Sequence, residues 1–319
     1  MTRLVLILTM SVLAFLKASV FQDSSSVSLD SSGKNTRFLL PDSVTQVTVP
    51  AGKFAFADSV ILYDPGAPGR ETGDEPDKKY QKPENALGLP DMQSDSGFVS
   101  LGRGGTIILK FSDNCIIDKP GPDLSIFMKA EKSESAKVWV SRKGRFYQFA
   151  GIVDSKNTLI DLEGKVSDGI YQFVKIRDAS ENSPDTSGAL GIDIDAVCAL
   201  NSMIIKTIPG DSLFSPFGST IKDTTCTGLR EVVGLIKSHT FVRVIIQSFS
   251  DSRGTDEFKL MLTQQQAAAL RDYFVDDREV TNAVFEIMGM GKQSPVASGD
   301  SDYARQKNRR IKILIYPEK

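Results

Sequence analysis

The hydrophobic pattern divides the chain into three stretches of different period. The first is a continuous apolar run from Leu4 to Leu16. It follows a short positive start, Met1-Thr-Arg3, and is followed by small residues at Ala18 and Ser19 and a polar stretch from Gln22. This layout predicts a secretory signal peptide over residues 1–19, and the run is short for a membrane span. Gln22 to Lys34 is rich in serine and aspartate, so residues 20–36 read as a flexible leader. No later segment has the length of a transmembrane span, so the mature chain is expected to be soluble and exported.

The second stretch has the period of strands. Ser59–Tyr63, Gly105–Phe111, Asp123–Met128, Ala136–Ser141, Tyr171–Ile176 and Ile192–Val197 are short β-rich runs with turn residues between them. No helical pattern interrupts them. The expected architecture over residues 37–202 is an antiparallel, jelly-roll-like β-sandwich. The Pro/Gly-rich stretch from Asp64 to Ser96 is long for a connection, and such loops are usually functional or disordered.

The third stretch mixes periods. Met203–Thr207 is a strand or a linker. Thr224 or Thr225 is expected to cap a helix running through about Ser238, with Leu229, Val232, Val233 and Ile236 on one face. Phe241–Ile246 reads as a strand. A second helix is expected from Asp256 to Val275, with a stripe at positions 258, 261, 262, 265, 266, 269, 270 and 273. Strands at Val284–Ile287 and Ile311–Tyr316 complete an α/β unit over residues 209–319. The fold class is therefore multidomain: a β-sandwich followed by an α/β domain.

Composition narrows the partners. A net charge of −2 argues against a nucleic-acid binder. Export permits disulfides among Cys115, Cys198 and Cys226. Cys115 and Cys198 share a domain and are the preferred pair. Closing that loop of about 83 residues would contribute roughly 4–5 kcal/mol in the chain-entropy model. The alternative is three free thiols. The single histidine, His239, immediately precedes an apolar strand and is not placed for catalysis. No nucleophile elbow, phosphate-binding loop or zinc spacing is present, so no enzymatic activity is expected.

Four ordered motifs in the last third carry a resemblance. They are Ser248-Phe-Ser-Asp251-Ser-Arg-Gly254, Lys259-Leu-Met-Leu262-Thr263-Gln-Gln-Gln266-Ala267, Gly289-Met-Gly291-Lys-Gln-Ser-Pro295-Val296 and Asn308-Arg309-Arg310-Ile-Lys-Ile313. With a loose match at Leu213–Ile221, this region resembles the OmpA-like peptidoglycan-binding domain family. The resemblance implies an α/β domain that binds the diaminopimelate residue of the peptidoglycan stem peptide. In the family an aspartate accepts the ammonium group and a helix arginine takes the carboxylate as a two-pronged donor. The aspartate maps to Asp251. The arginine position holds Gln266, whose neutral amide forfeits about 1–3 kcal/mol of charge-assisted bonding. Lys259 replaces the family's asparagine. Arg253, Lys259 or Arg310 is a candidate for the missing charge. Gly254, Asn308, Arg309 and Arg310 complete the implied ligand-binding set. For Arg309 and Arg310 a structural ion pair on the last strand is the alternative reading.

Phe56–Val60, Pro83–Gly88, Val99–Gly102, Gly104–Phe111, Gly121–Leu124, Val138–Ser141 and Gly191–Val197 are similar to exported discoidin-like, galactose-binding-like modules. That resemblance implies a loop surface for a glycan or another envelope protein, and a calcium ion with Asp118, Asp123, Asp193 and Asp195 as its candidate oxygen ligands. Asp193 and Asp195, as i and i+2, are expected on one strand face. The alternative is a set of solvated turn aspartates. Trp139 is either core or a sugar platform. The expected protein anchors non-covalently to the cell wall in the periplasm or at the outer membrane. The alternative is a secreted adhesion or scaffold protein whose C-terminal domain has lost that ligand.

Overall fold

The computed structural model describes residues 27–29, 36–39, 46–65, 75–91, 95–129, 134–179 and 190–318. The expected signal peptide lies outside the described residues. Part of the expected leader is ordered: Val27–Leu29 pairs antiparallel with Thr36–Leu39, which pairs with Gln46–Val49. Backbone pairing needs no apolar side chain, so the serines conceal this strand.

Two antiparallel sheets carry most of the described strands between Ser59 and Ala199. One orders its strands Gln148–Asp154, Ser135–Ser141, Phe173–Asp178, Thr106–Lys110 and Ser59–Asp64. The other runs Leu159–Ile160, Leu124–Lys129, Asp193–Ala199 and Val99–Ser100. Inward residues of both, such as Ile107, Leu109, Val138 and Val174 against Ile126, Met128, Ile194 and Val197, bury into one core. The connection from Asp64 to Ser96 is anchored where described. Ala86 is buried, Asn85 Nδ2 donates to the carbonyls of Ser96 and Phe98, and Tyr80 stacks on Phe98 at 5.1 Å.

A six-stranded sheet joins the halves of the chain. Its order is Ile170–Tyr171, Asn114–Ile117, Ser202–Pro209, Arg310–Pro317, Val242–Phe249 and Ala283–Gly289. Ser202–Pro209 pairs with Asn114–Ile117 on one side and Arg310–Pro317 on the other. The boundary expected near 202–209 is thus a shared strand. Phe38, Phe56 and Phe127 from the first part pack in the same cluster as Ile208, Leu229, Val244, Leu270 and Ile313 from the last. The Phe38 ring meets Phe56 and Phe127 edge-on at 5.1 and 6.1 Å. Separating the parts would expose this apolar surface.

The preferred disulfide does not form, and all three cysteines are free. Cys198 lies in the large cluster with Phe56 and Phe127, whereas Cys115 packs with Met203 and Leu314. Burial pushes the Cys115 thiol up to about 12 and the Cys198 thiol well above its ordinary value, so neither forms a reactive thiolate.

In the α/β part, the first long helix is Thr227–Lys237 and starts after Cys226 rather than at Thr224 or Thr225. The Asp223 carboxylate accepts the Thr225 amide at 2.8 Å and its hydroxyl at 2.6 Å, which holds that segment in a turn. The second helix is Asp256–Asp272, continued by a wide turn at Tyr273–Asp277. Its cap is Thr255, whose Oγ1 accepts the Phe258 amide at 3.2 Å. The buried face is Lys259, Leu262, Thr263, Ala267 and Leu270. Phe258 and Met261, expected inside, are exposed. The expected stripe was displaced by about one position because two polar residues point inward. Thr263 Oγ1 donates to the Lys259 carbonyl and accepts the Gly291 amide, and Lys259 is held by charge.

Candidate functional site

The strand Val242–Phe249 ends in a turn that carries Asp251 and leads into the Asp256–Asp272 helix. Gly254 makes the reversal at φ 86°, a left-handed conformation open to glycine, and an added Cβ would meet Phe258 at 3.3 Å. Asp251 is 4% exposed. Its Oδ1 accepts the Arg253 amide at 2.9 Å. Its Oδ2 accepts Arg253 Nη2 at 2.8 Å, Arg253 Nε at 3.2 Å and Arg309 Nη1 at 2.6 Å. Burial works against its charge, but hydrogen bonds from the side chain and backbone of Arg253 and from Arg309 outweigh it and hold the carboxyl below its usual range.

Arg309 is locked from a second side. Its Nε and Nη2 each meet an Asp211 carboxylate oxygen at 2.6 Å, a fork-to-fork pair. Asp211 lies in the first turn of the short helix Gly210–Leu213 that follows the shared strand. The fork to Asp211, burial notwithstanding, and the bond to Asp251 raise the Arg309 pKa above its ordinary value.

These groups line a small pocket that opens to solvent. Phe214, Phe217, Phe249 and Phe258 supply apolar walls, and Lys259 and Gln266 reach it from the helix. Lys259 is 3% exposed, with Nζ 2.9 Å from Asp256 Oδ1 and 3.3 Å from the Ser252 carbonyl. Phe217 sits on the rim at φ 59°, a conformation costing a non-glycine residue about 1–3 kcal/mol. Its ring lies 5.2 Å from the Arg253 guanidinium and 6.2 Å from the Phe258 ring.

Gln266 belongs to this pocket, but both ends of its amide are engaged. Oε1 accepts from Ser248 Oγ and Nε2 donates to the Gly218 carbonyl, each at 2.8 Å. It ties helix, strand and rim loop together. Asn308 is a clamp: Oδ1 accepts the amides of Val296 and Ala297, and Nδ2 donates to the Ala297 carbonyl. Arg310 is 8% exposed, donates to the carbonyls of Asn308 and Ser294, and lies 3.8 Å over the Phe249 ring. Its reading as an ion-paired residue is replaced by one of backbone bonding and stacking. Asp251, Lys259, Gln266 and Arg309 therefore meet at the pocket, with Arg253 beside them. Gly254 shapes its turn, and Asn308 and Arg310 brace it from outside. Asp211 and the phenylalanines were missed. The Pro209-Gly210-Asp211 turn ending an apolar strand was the available signal for Asp211.

The four aspartates of the calcium expectation do not converge. Asp118 and Asp123 bring carboxylate oxygens within 4.8 Å of each other and of Asp161, a set that could hold a cation and includes neither Asp193 nor Asp195. Asp123 already accepts the amides of Lys119 and Leu162 and the Asn201 side chain. Asp193 accepts from Ser100 Oγ, and Asp195 accepts the Asp91 amide at 3.0 Å. The ladder shifts between Ile194 and Ala196, so a bulge at Asp195 breaks the expected alternation. Asp195 is 2% exposed, its Oδ2 is buried with no hydrogen-bond partner among the described residues, and burial pushes its carboxyl up to about 6. Trp139 is half-buried, 5.7 Å edge-on to Phe149 and 5.1 Å from Lys175 Nζ. His239 is buried with Nδ1 2.7 Å from the Leu235 carbonyl.

Residues 213–309 match the family model described as OmpA family. A peptidoglycan-associated lipoprotein of Brucella melitensis is 29% identical over 138 residues, covering 43% of this chain and 82% of the relative. The peptidoglycan-binding protein ArfA of Mycobacterium bovis is 29% identical over 119 residues, covering 37% of this chain and 36% of the relative. Among solved structures, the peptidoglycan-associated lipoprotein of Burkholderia pseudomallei aligns at 29% identity with a TM-score of 0.30, covering 34% of this chain and 89% of that one.

Proposed function

Residues 213–309 form an OmpA family domain, and from that premise we propose that the chain is a non-enzymatic cell-envelope protein that binds peptidoglycan in the pocket around Asp251. The observation that carries this reading is a buried, ionised carboxylate in an open, phenylalanine-walled pocket, within a domain whose relatives are named for peptidoglycan. Asp251 receives the ammonium of the stem-peptide diaminopimelate, and the apolar walls take its methylene chain. The protein is exported and works in the periplasm or at the outer membrane. Its jelly-roll-like sandwich presents loops to a glycan or an envelope protein, held in fixed relation to the wall by the shared strand Ser202–Pro209.

The engaged amide of Gln266 favours a second reading, a scaffold that has lost this ligand. Co-sedimentation with diaminopimelate-containing peptidoglycan separates the two. The first reading expects the protein in the pellet and Asp251→Ala in the supernatant. Wild-type protein left wholly in the supernatant supports the second.

A further inference from the structure

The pocket holds three cations, Arg253, Lys259 and Arg309, and they are not equally free to meet a ligand. Arg309 is fixed by Asp211 and Asp251 together. Lys259 is buried and held by Asp256 and the Ser252 carbonyl. The Arg253 side chain is 45% exposed, and among the described residues it hydrogen-bonds only to Asp251. Of the two guanidinium groups on Asp251 Oδ2 it is the more exposed and the less constrained, so it is the one an incoming ammonium would displace.

Resting on the reading of the pocket as a diaminopimelate site, we propose that Arg253 is the specificity-determining cation and that the ligand binds by exchanging ion pairs with it. The guanidinium leaves Asp251 Oδ2, the ligand ammonium replaces it there, and Arg253 takes the carboxylate of the same amino-acid head. One internal ion pair becomes two across the interface, and charge balances at each step. Arg309 stays on Asp251 throughout and keeps it ionised. The Phe217 ring, 5.2 Å from the guanidinium, gives Arg253 a surface to move along. Arg253 thereby supplies the two-pronged donor that Gln266 does not.

The exchange couples Arg253 to one chemical group of the ligand, which a double-mutant cycle isolates. The probes are two synthetic stem tripeptides ending in diaminopimelate, one with the distal carboxylate free and one with it amidated. They are titrated calorimetrically into the full chain, into Arg253→Ala and into Arg253→Lys, each checked for folding by its thermal transition. Wild type is expected to prefer the free carboxylate roughly 10- to 100-fold. Arg253→Ala is expected to bring that preference close to one while binding the amidated peptide at least as well as wild type, because Asp251 is uncovered. Arg253→Lys is expected to lie between. Preference undiminished in a folded Arg253→Ala overturns the exchange but leaves peptidoglycan binding standing. Binding of neither tripeptide by wild type overturns both.

Discussion

Gln266→Arg restores the residue type that a two-pronged carboxylate site would use, and it moves stability and binding in opposite directions. In the wild type the Gln266 amide accepts from Ser248 Oγ and donates to the Gly218 carbonyl. Ser248 is fully buried. A guanidinium still donates to Gly218 but has no acceptor, so the Ser248 hydroxyl loses its partner or must turn to accept. The expected cost is about 1–3 kcal/mol of folding stability. Crowding by Arg253 and Lys259 in the same pocket acts in the same direction. Against this, a second guanidinium facing the ligand carboxylate adds a charge-assisted pair, expected to tighten stem-peptide binding by about tenfold. The arginine is also expected to restore carboxylate preference in an Arg253→Ala background. Urea denaturation reads the stability and calorimetry reads the affinity. Unchanged affinity in a variant that is folded, in both backgrounds, would refute the placement of the ligand carboxylate between the helix and the Asp251 turn.

Asp195→Asn is expected to stabilise the protein at neutral pH. The buried Asp195 carboxyl is raised to about 6, so its folded pKa lies above the unfolded value. The folded state then holds the proton more tightly, stability falls as pH rises from about 4 to 6, and the deficit of about 3 kcal/mol persists above that range. The variant should gain most of that amount at pH 8 and little at pH 4 by denaturant titration; an equal effect at both would place the origin elsewhere than in charge. Asn308→Ala should lower stability by about 2 kcal/mol, because the Val296 and Ala297 amides lose their acceptor; an unmoved thermal transition would show that solvent replaces the clamp. The depressed Asp251 pKa contributes stability that is present above the unfolded carboxylate range and lost as pH falls through the lower folded value. Asp251→Asn should therefore flatten the acid limb of the stability curve, and a limb identical to wild type would deny Asp251 that role.

Much of the molecule was legible because side-chain period reports what a segment buries. Runs such as Thr106–Lys110 and Arg310–Pro317 alternate or fill, and they are strands close to where the pattern put them. Period does not report which strand lies alongside. Nothing in Ser202–Pro209 itself says that Asn114–Ile117 and Arg310–Pro317 flank it, so a strand that unites the two parts read as a boundary. Hydrophobicity also failed where polar groups are buried by pairing. Lys259 and Thr263 face inward on charge and hydrogen bonds, which displaced the expected helix face. In the pocket, ordered motifs located Asp251, Gln266 and Arg309. They did not reveal that Arg253 pairs with Asp251, which depends on how a single tight turn folds back, nor that Asp211 locks Arg309 or that Gln266 is already engaged, which depend on contacts between segments distant in sequence.

The most direct test of the pocket's role is titration of the isotopically labelled full chain with a diaminopimelate stem tripeptide, followed by amide and arginine side-chain resonances. Peptidoglycan binding at this site predicts saturable shifts at Asp211, Asp251, Arg253 and Phe217, with the Arg253 side-chain signal moving and the Arg309 signal nearly still. Saturable shifts confined to the sandwich, or none at millimolar peptide, would contradict it.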